Sequence, residues 1–379
     1  MYRNVDVRLV IESSNGNLFY PVVLSFNVSE QYPFSVKVAN ISILTSIASG
    51  TSAYISPIRF DNVVRLQANI TYSADELPVW IDFFEGRIID INTKYGSDNV
   101  TNLVCKGHGH EAEYTLIRAD TTWSSKTTGS ILEYVVSTYL SRIEAGSFDD
   151  GATLINYNIK EDQKYVSDVI GQIEQLEGYD HRFSIDTTYD DTGKLDSTSA
   201  KWEEFSSVAT DKYKVIEGTP RMLSADFQSG GDAVYNYVII YGQQTDPQKV
   251  GSSSDTTSIS NYDARYYVTS NTGLLTDQLC SDISEAIVDK YSEPLVTGKV
   301  SLLFTPEAKP CDLVSCYIPS LEINGESIDD DFRVARIQHS GSANGITTTI
   351  DFTNIVLDPV DIITDLSVNS RISLLNFIS

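Results

Sequence analysis

Residues 80–115, WIDFFEGRIIDINTKYGSDNVTNLVCKGHGHEAEYT, constrain the fold more than any other stretch of the chain. A β-branched run carrying Phe84, Arg87, Ile89 and Ile91 meets a polar turn, Tyr95-Gly96-Ser97-Asp98-Asn99, whose residues tolerate positive φ. Beyond the turn, Val100, Asn102 and Val104 alternate with Thr101, Leu103 and Cys105. Gly86, Gly107 and Gly109 fall where a Cβ would obstruct a bend or bulge. The pattern predicts a β-hairpin.

The flanking sequence has the same character. Residues 5–11 (VDVRLVI), 18–28 (LFYPVVLSFNV), 34–44 (FSVKVANISIL) and 63–71 (VVRLQANIT) are strand-like, and Pro21 argues for a sheet edge or a strand start. About six short strands with polar turns predict a small antiparallel barrel or sandwich over residues 1–118.

The period changes near Asp120. After Thr127-Thr128-Gly129-Ser130, apolar residues at 131, 132, 135, 136, 139, 140 and 143 form a helical stripe that stops at Gly146. A strand at 154–159 leads to a second amphipathic helix, 164–176, with Val166, Val169, Ile170, Ile173 and Leu176 on one face and a stop at Gly178. Residues 179–186 are strand-like, and 187–200 (TTYDDTGKLDSTSA) predict a surface hairpin tip or loop. Residues 119–218 are therefore expected to be an α+β module.

Strand character returns at 219–224 and at 233–241 (AVYNYVIIY), whose nearly continuous apolar run predicts a strand buried on both faces. Residues 243–260 (QQTDPQKVGSSSDTTSIS) predict an exposed polar loop. A strand at 262–269 and a third amphipathic helix at 274–290 are expected to follow. Strands at 297–305, 313–318, 332–340 and 346–353, with a turn at 322–325, predict a second β unit. Its last pair, FRVARIQHSGSANGITTTIDFT, repeats the design of the opening hairpin. An apolar-rich tail, 358–379, is expected to be a short helix or a docking arm.

The expected fold class is thus α+β, mostly β: two small antiparallel, tube-like β-barrel domains with an inserted α+β module and a helix-bearing insertion. The expected division is 1–118, first barrel; 119–218, α+β module; 219–241 and 295–357, second barrel; 242–294, insertion; 358–379, tail.

Composition narrows the function. A 379-residue chain with 41% hydrophobic and 21% charged residues has the make-up of folded, multi-domain material. Its formal charge of −25 disfavours direct binding to nucleic-acid phosphates or anionic membranes. That charge suits a high-salt environment or a crowded assembly. The first residues show no basic and apolar leader, and no run reaches the length of a membrane span. Sequons at Asn27, Asn40, Asn69 and Asn99 are read as chance products of a chain rich in Asn, Ser and Thr. Four cysteines do not make a disulfide framework, and all four are expected reduced and buried or half-buried.

Candidate sites are few. Cys105, His108 and His110 could supply three zinc ligands, but no second Cys/His pair completes a structural set, so two solvent-facing histidines at a strand end are expected. Cys311 and Cys316 are expected to be ordinary strand residues. Asp149-Asp150, Asp190-Asp191 and Asp329-Asp330-Asp331 could act as acid–base pairs or bind calcium, yet none fits the twelve-position calcium loop, and each is expected in a solvated turn. No phosphate loop, dinucleotide glycine motif, nucleophile elbow or H-E-x-x-H is present. No catalytic, cofactor-binding or metal residue is assigned, and a non-enzymatic role is expected.

The order of elements resembles the tail hub proteins of tailed viruses and related contractile injection systems, the late-control or baseplate-hub family. Phe84, Gly86, Ile88 and Ile91 match that family's F-x-G-x-V-x-x-I strand, with isoleucine for its valine. Gly178-Tyr179 matches its helix-ending G-Y, and Arg333, Val334, His339 and Thr347, Thr348 and Thr349 match its last hairpin. The segments 187–200 and 243–260 match nothing in the family pattern. The resemblance implies a homotrimer whose two barrels per subunit make a six-fold-like ring, adapting the hexameric tail tube to a three-fold spike or tip. It also implies contacts with tail tube, distal tail or baseplate and spike or tip proteins, and a virion location after assembly in the host cytoplasm. The ring would line a channel for genome ejection, passing DNA without reading its sequence, with no stable membrane insertion. A tail-tip receptor- or carbohydrate-binding β protein, using the 22 tyrosines and 3 tryptophans, is the alternative.

Overall fold

The computed structural model describes residues 4–32, 34–44, 58–71, 79–94, 99–159, 162–176, 181–230, 234–270, 276–323, 326–343 and 345–353. Most of the expected turn at 95–99, the helix stop at 178–179, part of the turn at 322–325 and the tail at 358–379 lie outside the described residues.

The first β unit comprises β1 (Asn4–Glu12), β2 (Leu18–Phe19), β3 (Val23–Gln31), β4 (Val38–Leu44), β5 (Val63–Thr71), β6 (Trp80–Lys94) and β7 (Val100–Lys106). They pair antiparallel in the order β3-β4-β7-β6-β5-β1-β2. Alternation sends Ala39, Ile41 and Ile43 of β4 and Leu103 and Cys105 of β7 into one core with Leu66, Phe84 and Ile88. The expected hairpin is β6–β7, and its register slips between Ile88 and Asp90. Just before that slip only glycine fits: a Cβ on Gly86 would lie 2.1 Å from the Lys106 carbonyl oxygen.

The α+β module follows: α1 (His110–Tyr114), β8 (Thr121–Thr127), α2 (Thr128–Tyr139), β9 (Glu144–Phe148), β10 (Thr153–Ile159), α3 (Val166–Leu176), β11 (His181–Tyr189) and β12 (Leu195–Glu204). The Thr127 side chain caps α2 by accepting the Ser130 N–H at 3.2 Å. The apolar stripes of α2 and α3 meet β11 and β12 in a core containing Ile131, Val135, Ile170, Ile173, Phe183 and Trp202. Residues 187–200, expected as a surface hairpin tip or loop, form the outer part of the β11–β12 hairpin, which is paired from His181↔Glu204 to Tyr189↔Leu195 and has 190–194 as its tip.

The second β unit contains β13 (Val215–Ile216) and β14 (Met222–Gly230). An insertion then departs: β15 (Tyr237–Tyr241), β16 (Val250–Ser254), α4 (Thr256–Tyr262), β17 (Tyr266–Ser270) and α5 (Asp277–Tyr291). The unit resumes with β18 (Leu295–Leu303), β19 (Leu313–Ile323), β20 (Glu326–Ser342) and β21 (Gly345–Thr353). Its core holds Val300, Val314, Cys316, Phe332, Val334, Ile350 and Phe352.

Two expectations fail here. The strand within 233–241, expected in the second unit and buried on both faces, is the centre of a separate sheet ordered β16-β15-β17. Only Val238 and Ile240 are buried, against Cys280, Ile283 and Ile287 of α5. Residues 243–260 are also no simple loop, since they supply β16 and most of α4. The Asp255 carboxylate starts that helix, accepting the N–H groups of Thr257 at 2.8 Å and Ser258 at 3.0 Å.

The two β units share one thirteen-stranded sheet. β20 pairs with β21 on one side and with β3 of the first unit on the other. Among the described residues neither unit closes into a barrel of its own, because β3, the end strand of the first unit, bonds β20. The cores are also cross-threaded: Phe304, just after β18, packs edge-on against Phe83 at 5.1 Å in the first unit's core. Burying such a ring is worth about 2 kcal/mol.

Candidate functional site

The seam between the β units and the cleft beside it hold the chain's parts in one arrangement. Along the seam six residue pairs face each other, from Arg336↔Gln31 to Gly341↔Phe26. The Tyr32 N–H extends the ladder by donating to the Ala335 carbonyl at 2.9 Å. A Cβ at Gly341 would come within 2.2 Å of the Phe26 ring, so the two strands meet closely only with glycine there. Behind the ladder, buried His339 shares a 2.9 Å hydrogen bond between its Nδ1 and Thr348 Oγ1. The Thr348 hydroxyl oxygen also accepts the Thr305 N–H at 2.8 Å. Burial holds the imidazole neutral, its pKa pushed down to about 3.

Beside the seam lies a cleft of about 310 Å³ where three of the chain's four parts meet. The end of β3 and the following residues supply Glu30, Phe34 and Lys37; the α+β module supplies Glu174, Arg182 and Glu203. The second unit adds Lys309 and Cys311. Arg182 bridges module and second unit, donating from Nη1 to the Pro310 carbonyl at 3.0 Å and pairing through Nη2 with Glu203 at 3.3 Å. Glu30 pairs with Lys37 at 2.9 Å, and despite its desolvation, which alone would raise it, that cation holds the carboxyl below its ordinary range.

Glu174 has no exposed surface at all. One carboxylate oxygen accepts the Phe34 N–H of the first-unit side at 2.6 Å, and the other accepts the Phe183 N–H of β11 at 3.0 Å. Backbone donors, rather than a cation, hold it. Burial outweighs those two bonds and pushes its pKa up to about 7.

A second clasp lies farther along β11–β12. Buried Arg65 of β5 sits 3.8 Å from the centre of the Tyr189 ring and donates to the Gly193 carbonyl at the hairpin tip. Glu12 of β1 accepts the Leu195 N–H at 2.9 Å. Asp190 shapes the tip by accepting from Thr192 N–H at 2.8 Å and Lys194 N–H at 2.9 Å.

The residues singled out in the sequence are dispersed. Cys105 faces the first core, where burial pushes its thiol far up. His110 Nδ1 lies 2.6 Å from Glu113 Oε2, which also pairs with Lys106. His108 is not solvent-facing as expected: its Nε2 is enclosed, and desolvation pushes its pKa down to about 4. All four cysteines are buried and unpaired. Asp150 accepts from the Thr127 hydroxyl at the start of α2, and Asp149 accepts the Glu204 N–H at the end of β12. Asp329, Asp330 and Asp331 stand in β20 opposite Tyr317, Cys316 and Ser315, and not in a turn, because Ile328 and Phe332 on either side are drawn into the core. Among the described residues no three His, Cys, Asp or Glu side chains gather as a metal site, and no helix is long and apolar enough to cross a membrane.

Glu174, Arg65 and Arg182 escape a motif search. Glu174 did leave a trace: it stands four residues after Ile170 and next to Ile173, on the apolar stripe of α3. A carboxylate on that stripe marks a buried polar contact.

This mostly-β architecture, with an α+β module between two β units and an insertion in the second, is the fold of phage tail proteins. The 43 kDa tail protein of prophage MuSo2 from Shewanella oneidensis superposes with a TM-score of 0.60 at 12% identity, covering 94% of this chain and 99% of that one. A tail protein from Neisseria meningitidis MC58 gives 0.58 at 12% identity, covering 92% and 97%. The prophage tail protein gp18 from Listeria monocytogenes EGD-e gives 0.55 at 12% identity, covering 96% and 99%. No protein-family profile matches the chain, and no curated protein matches it by sequence. At such identity the likeness is one of fold.

Proposed function

We propose that this chain is a structural, non-enzymatic component of a phage-type tail, the hub at the tail tip or baseplate. Three copies form a ring in which two β units per copy present six similar positions to the tail tube and three to a spike or tip. The ring lines the channel for genome ejection, and its acidic surface lets DNA pass without being read. Its neighbours are the tail tube protein, distal tail or baseplate proteins and the spike or tip protein, within a virion assembled in the host cytoplasm.

The observation that carries this reading is the β3–β20 seam, in which one β unit continues another strand to strand. The same kind of edge pairing between copies extends such a sheet into a closed ring of heterologous contacts. In this reading residues 1–118 form one tube-like unit, and β13, β14 and β18–β21 form the other. Native mass spectrometry and negative-stain imaging of the purified chain test it. A trimer with a central channel is expected, whereas a strict monomer absent from isolated tail particles overturns it.

One observation favours the receptor-binding reading as a second role. The face of β16-β15-β17 away from α5 exposes Tyr241, Val250, Tyr266 and Val268, and those three strands carry no charged residue. Retention of the purified chain on host-surface glycans supports this role, and its failure to bind them removes it.

A further inference from the structure

We propose that Glu174 is an acid-tightened latch holding the α+β module against the first β unit. It is wholly buried, its two oxygens receive N–H groups from opposite sides of the junction, and it is among the residues lining a cleft of about 310 Å³. Opening the junction frees the Phe34 N–H, the one of the two donors that lies across it, and returns the carboxyl to water. The two states therefore differ in what it costs to carry the charge.

The neighbouring charges do not remove that difference. From the β3 side come Glu30 and Lys37, which neutralise each other at 2.9 Å. From β11 and β12 come Arg182 and Glu203, likewise paired, and Asp186, which is bound to Lys201. The second unit contributes Lys309. On the β6 wall Asp82 and Glu85 are both pushed up by burial, so they act in the same direction as Glu174. His108 stays neutral above pH 5, being pushed down to about 4.

The sign follows from linkage. Closed, the carboxyl titrates at about 7; open, it titrates near its ordinary 4.5. Between those values opening releases a proton, so the opening equilibrium rises about tenfold per pH unit, to about 300-fold in all, and is flat above and below the window. The latch is tight in acid and loosens toward neutrality.

Hydrogen exchange on the full-length protein, corrected for the intrinsic pH dependence of exchange, tests this at the Phe34 amide. Exchange should accelerate close to tenfold per unit between pH 5 and 7 and then level off. In Glu174→Gln that dependence should fall well below tenfold per unit, to what Asp82 and Glu85 contribute. A flat or inverted profile in the unsubstituted chain overturns the proposal, as does an unchanged slope in Glu174→Gln. Should that variant fail to fold, carboxyl carbon NMR of the unsubstituted chain decides: a Glu174 midpoint near 7 supports the latch, and one near 4.5 overturns it. The readouts do not depend on oligomeric state, so the latch and the hub reading stand or fall separately.

Discussion

The guanidinium of Arg65 lies against the face of the Tyr189 ring, 3.8 Å from its centre, and so binds the tip region of the β11–β12 hairpin to the first β unit. Arg65 is 8% exposed and also reaches Asp82 at 3.9 Å. Desolvated stacking of this kind is worth about 2 kcal/mol, above what a surface ion pair gives.

Arg65→Ala and Tyr189→Ala should therefore be non-additive. A double-mutant cycle in urea is expected to return a coupling of about 1–2 kcal/mol, with new proteolytic cutting at residues 190–194 in either single variant. Arg65→Lys should recover little of it, because the planar fork both stacks and reaches the Gly193 carbonyl. A coupling near zero would mean the contact does not hold the hairpin.

Gly86→Ala should be among the most damaging single-methyl changes in the chain. The new Cβ meets backbone, the Lys106 carbonyl at 2.1 Å, and no side-chain rotation relieves it. A loss of about 3 kcal/mol or more is expected from urea unfolding. By contrast, a Cβ at Gly171 would meet nothing within 4 Å, so Gly171→Ala should be neutral or slightly stabilising.

His339 makes the protein acid-sensitive in the direction opposite to Glu174. Its imidazole titrates at about 3 when folded and near 6.5 when exposed. The lowered value means its contribution is present above pH 6.5 and is lost as pH falls toward 3, by about 5 kcal/mol at most. His339→Gln should flatten the acid limb of stability measured in urea between pH 7 and pH 4. An acid limb as steep as that of the unsubstituted chain would place the sensitivity elsewhere.

Gln338→Pro tests the seam. In the middle of β20 this residue is paired with Ser29 on one side and Thr349 on the other, so its N–H serves one ladder or the other. Removing that donor from a strand bonded on both sides should cost about 3 kcal/mol or more. On the proposed hub reading the trimer fraction, measured by native mass spectrometry, should fall with it.

Period alone made much of this fold legible. The helical stripes of α2, α3 and α5 and the alternation in β4, β7 and β21 reflect local burial that each segment carries in its own residues. What stayed hidden depended on partners distant in the chain. β16, VGSSS, has no strand-like alternation and is held by β15 and by α5, whose backbone at Cys280 and Ser281 crosses so close to Gly251 that a Cβ there would lie 2.2 Å from the Ser281 nitrogen. The apolar run at 237–241 looked doubly buried, but its tyrosines face outward, and period cannot separate a buried face from an aromatic exposed one. The candidate site was half legible. Glu174 lay in plain view on an apolar stripe, whereas nothing near Arg65 in sequence announces Tyr189, more than a hundred residues away.

The double pairing of β20 also has a mechanical meaning. Over residues 336–341 the same backbone is bonded to both flanking strands, so a pull along the strand loads the whole ladder in shear at once. Pulling β3 away sideways would instead break its bonds one after another, like a zip. The joint between the two β units is therefore stiff along its strands and weak across them.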